Sequence, residues 1–243
     1  MNKNTNRMSK VVGRAHRPHV GGQEVEPDVM LETIIAICDG EGSVTMRERR
    51  VIADALKSRD AELRMFGIRA VRIRALWRRF GMEVVRIMRS EKDLLVYGEA
   101  VECVGSERGG TLGMSWWKRH LMSKSWLVRI AAINGMTDCR STVELELLLA
   151  LREEGHETVI AGALGLLLRK AHMLPAAGLL VALASAAETH TGRCAAANTL
   201  GAEGEWLEEK VRVHLKKRLR CALRLEQHES VRSSLRNAIR DLS

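Results

Sequence analysis

Apolar and polar residues recur along the chain in one amphipathic pattern that the sequence repeats six times. Two copies, SWLVRIAAINGM (125–136) and THTGRCAAANTL (189–200), place an Arg, two Ala, an Asn and a large apolar residue in matching order. The six copies centre on Arg64, Val96, Arg129, Ile160, Arg193 and Arg232, at intervals of 32, 33, 31, 33 and 39 residues. Near-equal intervals of this size indicate a repeat architecture whose terminal unit is commonly atypical.

Further amphipathic segments precede these copies. They occupy residues 27–38, 46–57, 77–88, 114–122, 142–152 and 175–185. Each unit is therefore predicted to be two helices of roughly 10–15 residues joined by short turns. Asp60, Ser125 and Thr189 are the predicted N-caps of second helices. Small residues such as Gly98, Ala131, Gly162 and Ala196 are expected to let neighbouring helices approach closely, so that successive pairs stack on one continuous core.

Composition favours helices over strands. Aromatic residues make up only 3% of the chain, and three Pro among 243 residues leave long spans free to be helical. Strands favour β-branched and aromatic residues, whereas Leu, Ala and Arg suit helices. We therefore predict an all-α fold over residues 28–243, preceded by a basic, flexible tail at residues 1–27.

The phrases LVRIAA and GRCAAANTL resemble the second helix of HEAT-type repeats, including the short HEAT-like units of the phycobilisome-lyase type. The resemblance covers about residues 28–243. It implies a right-handed α-solenoid of about six to seven HEAT-like helix pairs, ending in basic amphipathic capping helices. The chain departs from the family's usual Asp-Pro turn, and the Val96 and Ile160 copies lack the Arg. The fold class includes scaffolds, lyase subunits, DNA glycosylases and an iron hydroxylase, so the resemblance bears on architecture alone.

The net charge of +9 is unevenly distributed. Residues 1–129 carry 24 basic and 16 acidic side chains, whereas residues 140–209 carry 5 basic and 10 acidic ones. An anionic partner is consistent with this distribution. The first 22 residues contain no apolar segment typical of a secretory signal, and no apolar run is long enough to span a bilayer. We predict a cytoplasmic protein with no membrane span.

The most basic stretch of the first half is LRMFGIRAVRIRALWRRF (63–80). Its apolar residues, Phe66, Ala70, Ile73, Trp77 and Phe80, are spaced by 4, 3, 4 and 3, which predicts one buried stripe with arginines on the remaining arc. The predicted partner-binding residues are Arg64, Arg69, Arg72, Arg79, Arg129 and Arg193, because guanidinium groups bind carboxylates and phosphates bidentately. Two alternatives stay open: a solvated helix surface, or bonds from the repeated Arg to a neighbouring unit.

A second basic helix is predicted at 208–225. Seven basic residues and no acid lie between Glu209 and Glu226. Lys216, Lys217, Arg220 and Arg224 project away from its apolar side and form a predicted secondary basic patch. The alternative is the polar outer face that any terminal repeat needs for solubility.

No catalytic, cofactor-binding or metal-binding set emerges from the sequence. His156-Glu157 and His228-Glu229 resemble the His-Glu motifs of HEAT-like deoxyhypusine hydroxylases, whose di-iron site requires four such pairs. Two pairs are too few, so we expect polar capping residues there. The Trp residues and basic surface resemble HEAT-like DNA glycosylases in general character, but no catalytic Asp can be matched. Trp116, Trp117, Trp126 and Trp206 are expected to pack between repeats instead.

The leading hypothesis is a non-enzymatic HEAT-repeat interaction or scaffold protein that binds an acidic protein partner on its concave face. The alternative is a nucleic-acid-binding HEAT-like protein, possibly DNA-glycosylase-like, whose binding would weaken steeply with added salt. A third hypothesis, supported only by the repeat type, is a lyase-like or chaperone subunit for a chromophore protein.

Overall fold

The computed structural model describes residues 19–20, 23–24, 27–136, 155–171 and 174–243. The described chain is all-α, as predicted, apart from a two-residue antiparallel pairing of His19–Val20 (β1) with Gln23–Glu24 (β2). Its helices are α1 Pro27–Asp39, α2 Met46–Lys57, α3 Ala61–Ile73, α4 Trp77–Ser90, α5 Leu94–Arg108, α6 Met114–Leu121, α7 Trp126–Gly135, α8 Glu157–Ala171, α9 Leu174–Ala186, α10 His190–Ala202, α11 Glu209–Leu225 and α12 Glu229–Asp241. Short 3-10 helices occupy Gly109–Thr111 and Gly204–Trp206.

The helices begin and end close to where the amphipathic pattern predicts them. The predicted segments 46–57, 77–88, 114–122 and 175–185 correspond to α2, α4, α6 and α9. The predicted helix at 142–152 lies outside the described residues. The predicted tail, residues 1–27, lies mostly outside them as well. None of the described helices combines the length and apolar character that crossing a membrane requires.

The stretch from residue 63 to residue 80 does not form the single stripe that its spacing predicts. α3 ends at Ile73 and α4 begins at Trp77, with Ala75 between them at a φ of 50°. A residue in this left-handed conformation commonly ends a helix. Ile73, which the stripe would bury, is 49% exposed. The prediction is wrong because the 4-3-4-3 spacing continues by coincidence across a turn that starts a separate helix.

The predicted N-caps are confirmed at two of three helices. Asp60 accepts bonds from the second and third backbone N–H groups of α3, at 2.7 and 3.2 Å. Thr189 accepts one from the third N–H of α10 at 2.9 Å. Ser125 occupies the N-cap position of α7, but its side chain makes no capping bond. Such bonds satisfy N–H groups that the helix itself leaves without a partner.

Two sets of helices alternate along the chain. Each of α1, α3, α5, α7, α8, α10 and α12 packs against the next, and we call these helices the contact series. The remaining described helices, α2, α4, α6, α9 and α11, each pack against members of the contact series and are called the flanking helices. α1 belongs to the contact series because it packs against α3 as α3 packs against α5. Every helix centred on a copy of the repeated pattern is in the contact series.

Apolar burial is continuous along the described helices. One cluster of buried side chains is contributed by α1 to α5, and a second by α5 to α12. Met88, Leu112 and Trp116 are partly buried against both clusters, so they join the two. The burial of this apolar surface is the main favourable contribution to folding.

Small residues bring the contact-series helices close together, as predicted. A Cβ added to Gly105 of α5 would lie 3.0 Å from the Cα of Gly135 in α7. A Cβ added to Gly162 of α8 would lie 2.7 Å from the Cδ1 of Ile130. Ala196 of α10 is fully buried. Larger side chains at these positions would force the helices apart.

Candidate partner-binding surface

Arg64 and Arg193 occupy equivalent places in the repeated pattern and make equivalent bonds. Arg64 donates from Nε to Glu91 Oε2 at 2.8 Å, and Arg193 donates from Nε to Glu226 Oε2 at 2.7 Å. Through Nη1, each also donates to two backbone carbonyls five and six residues earlier, just before its own helix begins. Each arginine therefore ties the turn before its own helix to the end of a flanking helix in the next unit.

The acceptor glutamates complete this connection. Glu91 follows α4 and accepts from the backbone N–H groups of the next two residues at 2.9 and 3.0 Å. Glu226 follows α11 and does the same at 2.9 and 2.8 Å. For Glu226, these backbone bonds and the bond from Arg193 lower the carboxyl pKa. Both carboxylates therefore accept hydrogen bonds from an arginine and from two backbone N–H groups within the fold.

The carbonyl bonds recur at the other arginine-bearing copies. Arg129 donates from Nη1 to the carbonyls of Ser123 and Lys124 at 2.5 and 3.1 Å. Arg232 donates from Nη1 to the carbonyls of Leu223 and Glu226 at 3.2 and 2.9 Å. Carbonyls at the end of a helix and in the turn after it lack intrahelical donors, so a guanidinium there satisfies otherwise unpaired acceptors. These bonds agree with the alternative in which the repeated Arg bonds to neighbouring parts of the fold instead of to a partner.

Arg69 and Arg72 of α3 are also engaged inside the protein. Arg69 Nη2 lies 3.0 Å from Glu99 Oε2, and Arg72 Nη2 lies 3.0 Å from Glu99 Oε1. Arg72 Nη2 also lies 3.1 Å from Glu102 Oε1. The Glu99 side chain is only 7% exposed. Burial raises the pKa of Glu102, although the nearby Arg72 acts against this. The network holds α3 against α5.

Arg79 differs from the other predicted partner-binding residues. It lies on α4, a flanking helix, where it is exposed. Its guanidinium carbon is 5.7 Å from the centre of the Phe80 ring, and it forms no ion pair with any residue in the described ranges. The six arginines therefore do not form one surface: Arg79 points outward while the other five bond to neighbouring groups.

The predicted secondary basic patch lies on the exposed side of α11. Lys217, Arg220 and Arg224 are exposed, whereas Lys216 is partly buried. Leu215, Leu219 and Ala222 form the buried side of the helix. Within the part of the chain that the structure describes, none of these four cations has a carboxylate partner. Their charge is thus available to a binding partner.

Charge separates the two sets of helices. The five flanking helices together hold seventeen Lys and Arg against four Asp and Glu. The seven helices of the contact series hold eleven basic and ten acidic residues. The cationic excess of the described helices therefore resides on the flanking helices, above all α4 and α11. A surface of one sign attracts anionic partners and speeds their association.

The other candidate groups have structural partners. Glu157 accepts from the backbone N–H groups of Glu188 and Thr189 at 2.6 and 3.0 Å, so it caps a neighbouring helix. His228 Nδ1 lies 2.8 Å from Ser230 Oγ. Within the described ranges, no three His, Cys, Asp or Glu side chains lie close enough to hold a metal ion. Capping, as expected, accounts for Glu157.

The tryptophans differ in how far they pack within the fold. Trp117 is fully buried, and its ring meets that of Trp116 edge-on at 4.8 Å. Trp126 stacks on His156 at 4.3 Å. Trp206 is 51% exposed. Trp116 and Trp117 therefore pack in the core and Trp126, 37% exposed, packs in part, whereas Trp206 does not follow the expectation of packing.

Comparison of the chain with protein-family models, with curated proteins and with solved structures found no match in any of the three. The exposed cations of α4 and α11 are the strongest candidate site on the described surface.

Proposed function

We propose that the protein is a non-enzymatic α-solenoid of about six to seven HEAT-like helix pairs that binds an acidic protein partner. The contact series would supply the stacked core, and the flanking helices would supply the binding surface. This proposal places binding on α4 and α11 rather than on the concave face, because arginines of the contact series already bond within the fold. The supporting observation is the cationic excess of the flanking helices, where the exposed Arg79, Lys217, Arg220 and Arg224 form no ion pair with any described residue.

Complementary charge would act mainly on the rate of association. Lys217, Arg220 and Arg224 would attract an acidic surface over about 8–10 Å at physiological salt, the distance at which screening sets in. Arg79 would act in the same way on α4. The rigidly connected helices would hold these charges in a fixed arrangement, which limits the entropy lost on binding.

The second candidate function is nucleic-acid binding, and the charge density of α11 favours it. Seven basic residues and one acid lie within its seventeen residues. A helix of this kind could follow a phosphate backbone. Each neutralised phosphate releases counterions, so affinity would fall linearly on a logarithmic salt scale.

Affinity capture from native lysate, with and without nuclease, separates the two functions. We expect an acidic protein to be retained after nuclease treatment by the wild type and lost from the double variant Lys217→Glu with Arg224→Glu. The matched control is Arg108→Glu with Lys124→Glu, which changes net charge equally at exposed cations outside the flanking helices. Loss of all bound material after nuclease treatment would instead establish the nucleic-acid function. Equal capture by both double variants would refute the α11 surface.

A further inference from the structure

One exposed methionine on α4 is surrounded by arginines. Met82 is 76% exposed. Arg78 and Arg86 lie one turn before and after it, Arg79 lies three residues before it, and Arg89 lies two turns after it. At 100° per residue, these five side chains occupy one arc of the helix surface. The opposite side, with Phe80, Gly81 and Val84, is buried in the core.

This arc is largely uncommitted. The ion pair between Arg86 Nη2 and Glu83 Oε1, at 3.2 Å, is the only one that α4 side chains make with described residues, and the Arg86 side chain is 72% exposed. An exposed pair of this kind contributes little to stability. Met82 therefore exposes apolar surface to water and does not pack in the core. The arginines around it remain largely free to bind another molecule.

The same combination occurs on the two adjacent flanking helices in sequence. Met46 of α2 is 63% exposed and is followed by Arg47 and Arg50. Met122, at the end of α6, is 58% exposed and follows Lys118 and Arg119. Flexible, polarisable methionine side chains suit surfaces that accept an apolar group from a partner. α4 has the most complete arrangement of the three.

We propose that the Met82 arc of α4 is a docking site for a short acidic amphipathic segment of a partner protein. One apolar side chain of that segment would cover Met82, and Asp or Glu side chains on either side would pair with Arg78, Arg79, Arg86 and Arg89. This inference rests on the proposed function and specifies the chemistry of the partner at one site. Carboxylate and guanidinium groups pair bidentately, which fixes the orientation of the segment.

A nucleic acid fits this arc less well. Phosphate contacts need cations and no apolar centre, and binding to single strands adds aromatic side chains on which bases stack. The aromatic residues of α4 are Trp77, which is half-buried, and Phe80, which is buried. An apolar contact encircled by charge instead matches protein interfaces, in which a central apolar anchor is rimmed by polar groups.

The test is selection of binders from a random 16-residue peptide library displayed on phage, performed in parallel on full-length variants. These are the wild type, Met82→Ser, Arg78→Glu with Arg86→Glu, and Lys217→Glu with Arg224→Glu as a charge-matched variant on α11. Met82 and both arginines are exposed, so thermal unfolding should be unchanged and serves as the folding control.

We expect the wild type and the α11 variant to enrich peptides in which Asp or Glu flank an apolar residue, and the two α4 variants not to do so. The best selected peptide, measured by fluorescence anisotropy, should bind Met82→Ser about tenfold more weakly than the wild type, the effect of removing one interface anchor. The inference is overturned if no acidic peptides are enriched. It is also overturned if Met82→Ser binds them as the wild type does, or if duplex DNA of mixed sequence binds α4 with the same sensitivity to these variants.

Because the α11 variant is tested alongside, the two proposals can fail separately. Loss of peptide binding only in the α11 variant would move the site to α11 and leave binding of acidic proteins intact. Capture of an acidic protein from lysate that the α4 variants do not affect would overturn the Met82 site and leave the proposed function standing.

Discussion

At the scale of single residues, the repeated Arg is principally a structural group. Arg64 and Arg193 make the same set of bonds although 129 positions separate them. In each case the guanidinium forms an ion pair with a glutamate that directly follows a flanking helix. The sequence shows the arginines recurring but gives no sign of these acceptors, because Glu91 lies 27 residues after its arginine and Glu226 lies 33 after its own.

Reversing the charge of Arg72 should destabilise the protein. Arg72→Glu would place a third carboxylate beside the buried Glu99 and the partly buried Glu102, and it would remove the guanidinium that pairs with both of them. Breaking a buried pair in this way costs about 3 kcal/mol in the free energy of unfolding. Arg79→Glu, on the exposed surface of α4, should change it by less than about 0.5 kcal/mol. Urea denaturation of both variants measures the difference, and equal stability would contradict the assigned network.

His120 should make stability depend on pH. Its Nδ1 donates to the carbonyl of Trp116 at 2.7 Å, so its Nε2 accepts from the Tyr97 hydroxyl at 3.1 Å. Burial lowers the pKa of His120, although the bond to Trp116 opposes this. The folded state therefore favours the neutral imidazole. The contribution of His120 to the free energy of unfolding is complete above its ordinary pKa near 6.5 and is lost as the pH falls below that value.

Denaturation between pH 7.5 and pH 5 measures this contribution. We expect the free energy of unfolding to decline more steeply with falling pH in the wild type than in His120→Gln, which has no titrating group at this position. Identical pH profiles for the two proteins would show that His120 titrates alike in the folded and unfolded chains.

At the scale of elements, close contact between contact-series helices depends on small side chains. Gly105 against Gly135 and Gly162 against Ile130 leave no space for a Cβ without a shift. The sequence predicts the contact at Gly162, because small residues recur in the repeated pattern, but it did not single out Gly105 or Gly135. It fails at the boundary between α3 and α4, where Ala75 takes a left-handed conformation that no Gly or Pro announces.

A carboxylate placed in one of these contacts should disrupt the packing. Ala196→Glu in α10 would bury an unpaired charge and overpack the contact, so we expect a loss of several kcal/mol, on the order of 3–5. Ala131→Glu in α7 should act similarly. Asn198→Glu is the control, since Asn198 is exposed on the same helix as Ala196. Thermal melting is the measurement, and an unchanged midpoint for Ala196→Glu would contradict its burial.

At the scale of the whole molecule, charge divides between the two sets of helices. The contact series is nearly neutral, and Arg64, Arg69, Arg72 and Arg193 in it form ion pairs within the fold, whereas the flanking helices carry the excess of Lys and Arg. Six arginines that the sequence groups as one surface are thereby separated. Arg79 joins the exposed flanking charges, and the other five take part in bonds that connect consecutive helices.

The sequence alone determined the helical class, most helix positions and the close helix contacts, because these follow from local periodicity and from the size of repeated side chains. It also identified the basic stretch at residues 63–80, which spans α3 and the start of α4, and the basic helix α11. Only the tertiary structure decided which cations are neutralised, since an ion pair such as Arg64 with Glu91 depends on two helices meeting side by side. The exposure of Met82 among its arginines is equally a tertiary property, because periodicity identifies a polar side but does not show which residues on it remain uncovered.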